Sequence, residues 1–175
     1  MDIRPLAPSD AGALRAFFTR VPEGDRTFFR EDVFASGVIE GWFRGTDGHR
    51  YVAADGREVA GYLAIVALVG WSRHVAEIRV IVDPGHRRQG VGRALARHGL
   101  VEALHLGFAK LVVEVVADQE PTLAMFSTLG FQPEALLRDH VRDGDGTAYD
   151  LIVMSHFVED NWSALQAVGF EESLD

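Results

Sequence analysis

The chain has 175 residues, 47% of them hydrophobic, which suffices for one well-buried core and is short for two, so we expect a single domain. Its formal net charge of −9 argues against general binding of nucleic acids or anionic membranes, because both draw affinity from excess positive charge. The sequence contains no cysteine, which excludes disulfides, thiol nucleophiles and cysteine-based zinc sites.

The first part of the chain predicts a short strand and two helical segments. Residues 2–6 are predicted as the strand, and Ser9 and Asp10 offer N-cap chemistry to the helix that follows them. A second helical stretch is expected from residue 26 to about 34, resuming to about 43, and it is rich in aromatic residues.

From residue 49 the hydrophobic period changes to the period of two that is typical of strands. We predict strands over residues 49–54 and 58–69, with Asp55 and Gly56 as the hairpin turn between them. After another turn, a β-branched run predicts a strand over residues 74–82. Together these segments predict an antiparallel meander.

The next part of the chain predicts a crossover between parallel strands. A helical pattern extends from residue 90 to about 106, and Gly107 follows at the position where a left-handed residue ends a helix. Residues 111–117 are a nearly continuous apolar run, as expected of a strand with a parallel partner. Pro121 suits the first turn of another helix, which we expect to reach Leu129.

Two final strands and a tail complete the predicted fold. One strand begins at Phe131, the other covers residues 147–157, and the segment 158–175 is expected to be a helical tail packed on the single domain of residues 1–157. The order predicts an α+β fold: a mixed, mostly antiparallel sheet of about six to seven strands with one parallel pair and helices on both faces. No apolar stretch approaches the roughly 18 residues that span a bilayer, and no signal pattern opens the chain, so we expect a cytoplasmic protein.

A basic, glycine-bearing loop joins the strand over residues 74–82 to the following helix. Because a helix N-terminus offers unpaired N–H groups and partial positive charge, such a loop is suited to bind phosphates. A nucleotide-hydrolysing P-loop is disfavoured, since Val91 and Gly92 stand where lysine and a hydroxyl residue are needed. A Rossmann-like dinucleotide site is disfavoured by Leu95 at the third glycine position, and a basic helix cap without ligand stays open.

The segment Arg87–Gly92 resembles the R/Q-x-x-G-x-G/A signature of the GNAT superfamily of N-acetyltransferases, and the element order resembles the acyl-CoA N-acyltransferase fold of that family. This resemblance implies acetyl-CoA as co-substrate, with its pyrophosphate on the loop and its pantetheine arm along the preceding strand. The residues implied are Val80, Ile81, Val82, Arg87, Arg88, Gln89, Gly90, Val91, Gly92, Arg93 and Ala94. Residues 119–131 are similar to a second family segment, with Gln119 at its Asn position and Phe126 at its Tyr position.

Acetyl transfer to an amine requires a group that takes the proton of the amine. Glu77 is a carboxylate within an apolar strand, where the family often has a glutamate general base; a structural charge paired with Arg79 is the alternative. Phe126 has no hydroxyl to protonate the leaving thiolate, so either Ser127, Tyr149 or His140 serves as the acid, or the thiolate leaves with help from water. The histidines form no metal-ligand spacing, and we expect no metal.

The acceptor implied by the resemblance is a primary amine of a small molecule or protein. We expect its pocket around residues 22–30, Trp42, Phe43 and the last hairpin turn, where acidic side chains either attract a cationic amine or form a solvated face. A non-catalytic acyl-CoA-binding or regulatory module is the alternative function. A homodimer is compatible with the sequence, which does not decide the oligomeric state.

Overall fold

A computed structural model describes residues 1–26, 31–45 and 48–158 of the chain. Its strands are β1 (Asp2–Pro5), β2 (His49–Asp55), β3 (Glu58–Ala67), β4 (Val75–Val82), β5 (Lys110–Val116), β6 (Gln132–Arg142) and β7 (Ala148–Phe157). Its α-helices are α1 (Ala11–Arg20), α2 (Glu23–Arg26), α3 (Val38–Trp42), α4 (Val91–His105) and α5 (Glu120–Thr128). The described strands form one seven-stranded sheet in the order β1-β2-β3-β4-β5-β7-β6.

The sheet is mixed, as predicted, and its one parallel pair joins β4 to β5. This pairing covers only three residues of β4, from Val75 opposite Lys110 to Glu77 opposite Val112. Beyond Glu77, β4 stays paired with β3 and β5 stays paired with β7, but the two strands no longer pair with each other. A gap therefore opens between the second halves of β4 and β5.

Each face of the sheet is covered by its own apolar cluster. Helix α4 packs on one face against β3 and β4, and Phe126 of α5 belongs to the same cluster. The other face carries α1, with Leu14, Phe17 and Phe18 buried, and Trp42 of α3. Glu77 and Arg79 share this second face with Ile81, because alternate residues of a strand point to the same side.

Close packing of α4 fixes where its N-terminus lies. A Cβ added to Gly99 would stand 2.7 Å from the Ile78 Cδ1 atom and 3.3 Å from a Leu63 methyl carbon. Only glycine therefore allows the helix this close approach to β3 and β4. The helix is held against the strands, and residues 83–90 connect the end of β4 to its first turn.

The structure departs from the predicted elements mainly near the N-terminus. The Asp10 side chain does not cap α1; instead it accepts two 2.7 Å hydrogen bonds from Arg4 and one from the Ala7 N–H. Of the helix predicted over 26–34, residues 27–30 lie outside the described residues, and 31–34 are not helical. The predicted helical tail lies outside them beyond Val158. In the described ranges, no helix is long and apolar enough to cross a bilayer.

Candidate active site

The exit of β4 is fixed by a buried carboxylate. Asp83 accepts a 2.8 Å hydrogen bond from the Gly85 N–H and pairs with the Arg20 guanidinium at the end of α1, while its own N–H donates to the Ala60 carbonyl. Burial opposes the charge of Asp83, but the bonds from Arg20 and Gly85 outweigh it and hold the pKa of this carboxyl below its ordinary value. These contacts of Asp83 fix the direction in which the chain leaves β4.

The loop between β4 and α4 contains two left-handed residues, Arg88 with φ of 61° and Gly90 with φ of 85°. Glycine adopts this conformation without strain, and a Cβ at Gly90 would meet nothing within 4 Å, so backbone conformation is the reason for glycine there. Gly90 is the N-cap of α4, and the Gln89 amide braces the loop by donating to the Gly85 carbonyl at 3.0 Å. The first N–H groups of α4 thus face outward from an ordered turn.

Gly92 is closely surrounded, unlike Gly90. A Cβ at this position would stand 3.3 Å from Val82 Cγ2 and 3.5 Å from Met125 Sδ. The end of β4, the first turn of α4 and helix α5 therefore meet at one point, beside the gap between β4 and β5. This junction is the place where the phosphate cradle predicted from the sequence would lie.

The structure brings the predicted coenzyme residues together. Val80, Ile81 and Val82 lie half-buried in the part of β4 that β5 does not pair with, and the loop follows them directly. Gln119 is the N-cap of α5, just after β5, on the other side of the gap. The arginine side chains differ: Arg88 and Arg93 are exposed, whereas Arg87 forms an ion pair with Asp25 of α2.

Glu77 is the last residue of β4 that pairs with β5, and the gap between the two strands begins there. Its residue is buried, with 8% exposure, and its carboxylate accepts hydrogen bonds of 2.9 and 3.2 Å from Arg79. The pairing with Arg79 that the sequence suggested is therefore present. It leaves the carboxylate on the sheet face opposite α4, toward α1 and α3.

The candidate acids occupy three separate elements. Phe126 is 2% exposed and packs edge-on against Phe131 at 5.1 Å, so its ring belongs to the core, and its contact with the coenzyme stays a prediction. Ser127 is exposed on α5, and His140 is exposed on β6. The Tyr149 hydroxyl donates to Asp143 at 2.9 Å, and this bond, together with burial, raises the pKa of the phenol. No one of them is singled out by its position.

Sequence reasoning missed a second carboxylate beside the gap. Glu114 of β5 lies two residues beyond Val112, the partner of Glu77, and therefore on the same face of the sheet. The available signal was the one that identified Glu77, a charge inside an apolar strand. In the described ranges, no group of three His, Asp or Glu side chains converges as metal ligands would.

Residues 13–131 match the model of the acetyltransferase (GNAT) family. The chain is 37% identical over 76 residues to a curated relative, [Ribosomal protein bS18]-alanine N-acetyltransferase of Escherichia coli (strain K12). This match covers 43% of this chain and 51% of the relative. The chain thus spans about half the length of that relative. It is 29% identical over 147 residues to N-alpha-acetyltransferase RimI of Mycobacterium tuberculosis, covering 82% of this chain and 91% of that protein.

Solved structures show the same fold at low sequence identity. Ribosomal-protein-alanine N-acetyltransferase from Brucella melitensis superposes with a TM-score of 0.78 at 22% identity, covering 90% of this chain and 99% of the other. A putative acetyltransferase from Salmonella typhimurium, solved with its cofactor acetyl-CoA, gives 0.80 at 20% identity, covering 90% and 94%. The predicted fold is confirmed.

Proposed function

Because the chain belongs to the acetyltransferase (GNAT) family, we propose that it transfers an acetyl group from acetyl-CoA to a primary amine of a small molecule or protein. The observation that carries the proposal is the glycine-bearing cradle of Gly90 and Gly92 at the mouth of the gap between β4 and β5. In this reaction the amine nitrogen bonds to the acetyl carbon, the carbon–sulfur bond breaks, and the nitrogen's proton is lost as coenzyme A leaves as its thiol.

The coenzyme side of the site rests on backbone more than on side chains. The N–H groups of the first turn of α4 suit the pyrophosphate, and the exposed Arg88 and Arg93 add positive charge beside it. The half of β4 that β5 does not pair with offers main-chain groups to an extended amide arm, as an exposed strand edge does. Arg87 would have to leave Asp25 to reach a phosphate.

Glu77 is the proposed general base, which accepts the proton of the acceptor amine directly or through water. Two observations support this role: Glu77 is buried, and it lies where the gap between β4 and β5 begins. An amine that approaches the coenzyme in this gap would come close to its carboxylate. Tyr149 or Ser127 would supply the proton of the departing thiol. The positions of the two hydroxyls do not decide between them, since Ser127 is exposed on α5 and the Tyr149 hydroxyl donates to Asp143.

The acceptor is proposed only as a class. The names of the relatives support both kinds of amine: a ribosomal protein alanine for one, and a small molecule for the streptothricin acetyltransferase of Streptomyces lavendulae, 31% identical over 102 residues. Asp143 belongs to the last hairpin turn, and Glu23 Oε1 would stand 3.0 Å from a Cβ at Gly144 in the same turn, so two carboxylates lie where the acceptor pocket is expected and favour a cationic amine. A cytoplasmic location and a homodimer stay predictions.

Incubation of the purified protein with acetyl-CoA and an amine panel, with free thiol as the readout, tests the proposed function. The panel includes a peptide with an N-terminal alanine and a streptothricin. Thiol release that depends on one acceptor supports the transferase, whereas tight binding of acetyl-CoA without thiol release supports the alternative, a non-catalytic acyl-CoA-binding module. If the protein neither binds acetyl-CoA nor releases thiol, both the transferase and the binding module are contradicted.

Two matched variants test the base. Glu77→Gln should lower kcat by roughly 100-fold or more and raise the pH at which activity appears, because general-base catalysis contributes factors of that order. Glu114→Gln makes the same change on the neighbouring strand β5, two residues beyond Val112, the partner of Glu77. Loss of turnover in Glu114→Gln with normal kinetics in Glu77→Gln would transfer the role of base to β5.

A further inference from the structure

We propose that Arg79 and Glu31 are positioning residues that hold the carboxylate of Glu77 at the head of the gap, an inference that rests on the proposed function. Arg79 lies between two carboxylates. Its Nε and one terminal nitrogen donate to Glu77, and its other terminal nitrogen stands 3.5 Å from Glu31 Oε2. The Arg79 side chain is only 15% exposed, so contacts with these carboxylates replace much of its hydration.

The register of the sheet explains why one glutamate can reach two arginines. Ala64 of β3 is the partner of both Arg79 of β4 and Arg50 of β2, so the two arginines flank a methyl group on the same face. Neighbouring strands are about 4.8 Å apart, which leaves room above Ala64 for one carboxylate. Glu31 occupies this place, 3.8 Å from Arg50 and in reach of the Trp42 indole N–H at 3.3 Å.

The four charged groups alternate in sign along the face: Glu77, Arg79, Glu31 and Arg50. A row of this kind, buried except for the 30% exposed Glu31 side chain, is tolerated when each charge has an opposite neighbour. Burial lowers the pKa of the Arg79 guanidinium, but the hydrogen bonds and charge of Glu77 and the charge of Glu31 outweigh it and raise the pKa. Two further titratable groups share this face: Tyr62 of β3, inside the row, and Glu114 of β5.

This arrangement has a consequence for catalysis. With Glu31 present, the positive charge of Arg79 is shared, so Arg79 orients Glu77 without fully neutralising it. Removal of the Glu31 charge takes away one of the carboxylates that contact Arg79, which strengthens the interaction of Arg79 with Glu77 and makes that carboxylate a weaker base. Removal of the Arg79 charge does the reverse and also frees the carboxylate to rotate.

The decisive experiment compares kcat against pH for the wild type, Glu31→Gln and Arg79→Gln. Glu31→Gln should move the acid limb to lower pH by on the order of 0.5 to 1 pH unit and lower the plateau roughly 3- to 10-fold. Arg79→Gln should move the limb to higher pH, and Arg79→Lys should restore its position while recovering only part of kcat. The KM for acetyl-CoA should stay within about 2-fold in all three, since β4 offers main-chain groups to the coenzyme arm and the substitutions change only side chains.

The matched control is Glu40→Gln, which removes a carboxylate from the ion pair with Arg15, outside the row and with both side chains about 40% exposed. It should leave the pH profile unchanged. Two acceptors whose amines differ in basicity separate a limb that belongs to the enzyme from one that belongs to the amine. Limbs that move in the same direction in Glu31→Gln and Arg79→Gln, or do not move, would refute the proposal.

A readout without turnover keeps this proposal distinct from the proposed function. The Nε proton of Arg79 should give a resonance protected from solvent exchange, identified by its loss in Arg79→Lys. Glu77→Gln should abolish that protection, and Glu31→Gln should shift the resonance but keep it protected. If no acceptor is acetylated, the proposed function fails while this result stands; an unprotected Nε proton in the wild type overturns the positioning role itself.

Discussion

Two glycines of the coenzyme loop differ in their surroundings, which leads to different expectations. Gly90 has a positive φ and open space around its Cα, whereas Gly92 has neighbours where a Cβ would be. Gly90→Ala should therefore cost about 1 kcal/mol of stability through backbone strain alone. Urea denaturation measures it, with Gly12→Ala as control, because Gly12 lies in α1 with nothing within 4 Å and ordinary φ. Equal effects of the two variants would contradict the strain.

His156 should make the protein acid-sensitive. It is 1% exposed beside Phe131, and its burial lowers the pKa of the imidazole, outweighing the nearby backbone of Gly130 and Leu129, which raises it. The unfolded state, with a pKa of about 6.5, therefore binds a proton before the folded state does. Stability should be constant above about pH 7 and fall as the pH drops below 6.5 toward the folded pKa.

The measurement is the free energy of unfolding at pH 7.5 and pH 5.5. The wild type should lose more stability than His156→Gln between these values, because the unfolded chain takes up a proton that the buried imidazole of the folded protein resists. Burial also lowers the pKa of His98, which adds the same slope to both proteins and cancels in the difference. His49→Gln, at an exposed position, should follow the wild type. Parallel curves for wild type and His156→Gln would show that His156 is not the sensitive group.

At the scale of elements, α4 links the core to the coenzyme loop. Gly99→Ala would place a methyl carbon 2.7 Å from Ile78 Cδ1, so either the helix or Ile78 must move. We expect a loss of about 1 to 3 kcal/mol, as overpacking usually costs, and weaker binding of acetyl-CoA because the first turn of α4 moves with the helix. Calorimetric titration measures the affinity. Gly41→Ala in α3, with open space around it, should change neither the stability nor the affinity. If Gly99→Ala is destabilised but binds acetyl-CoA with unchanged affinity, the position of α4 does not control the coenzyme loop.

Sequence patterns predicted those elements whose apolar period is regular. The period of two indicated β2 and β3, a β-branched run indicated β4, and Gly107 marked the end of α4, which the structure places at His105 with Gly107 in the left-handed region. The Asp10 side chain could not be predicted, since its partner Arg4 belongs to another element. The same limit applies to the charged row of the site: the contact of Glu31 with Arg79 depends on strand register, and no local spacing encodes it.

At the scale of the whole molecule, the sheet consists of two parts. The strands β1 to β4 form one part and β5, β7 and β6 the other, and in the described residues the two are paired through three residues on each side. The gap between them is the place where sequence patterns were silent, because apolar strands look alike whether they pair or part. The site is therefore a property of the sheet's assembly, and a ligand in the gap contacts both parts.

Acetyl-CoA should therefore stabilise the molecule at the gap and not at the existing pairs. Hydrogen exchange of the β4 amides that face β5 beyond Glu77 should slow by roughly 10-fold or more at saturating acetyl-CoA, while the amides of Val75–Glu77, already paired, change little. At a concentration of 100 times Kd, binding should add about 2.7 kcal/mol to the free energy of unfolding and raise Tm accordingly. Gly92→Trp, which fills the corner beside Val82 and Met125, should abolish both effects. Protection spread evenly over the sheet, or retained in Gly92→Trp, would place the coenzyme elsewhere.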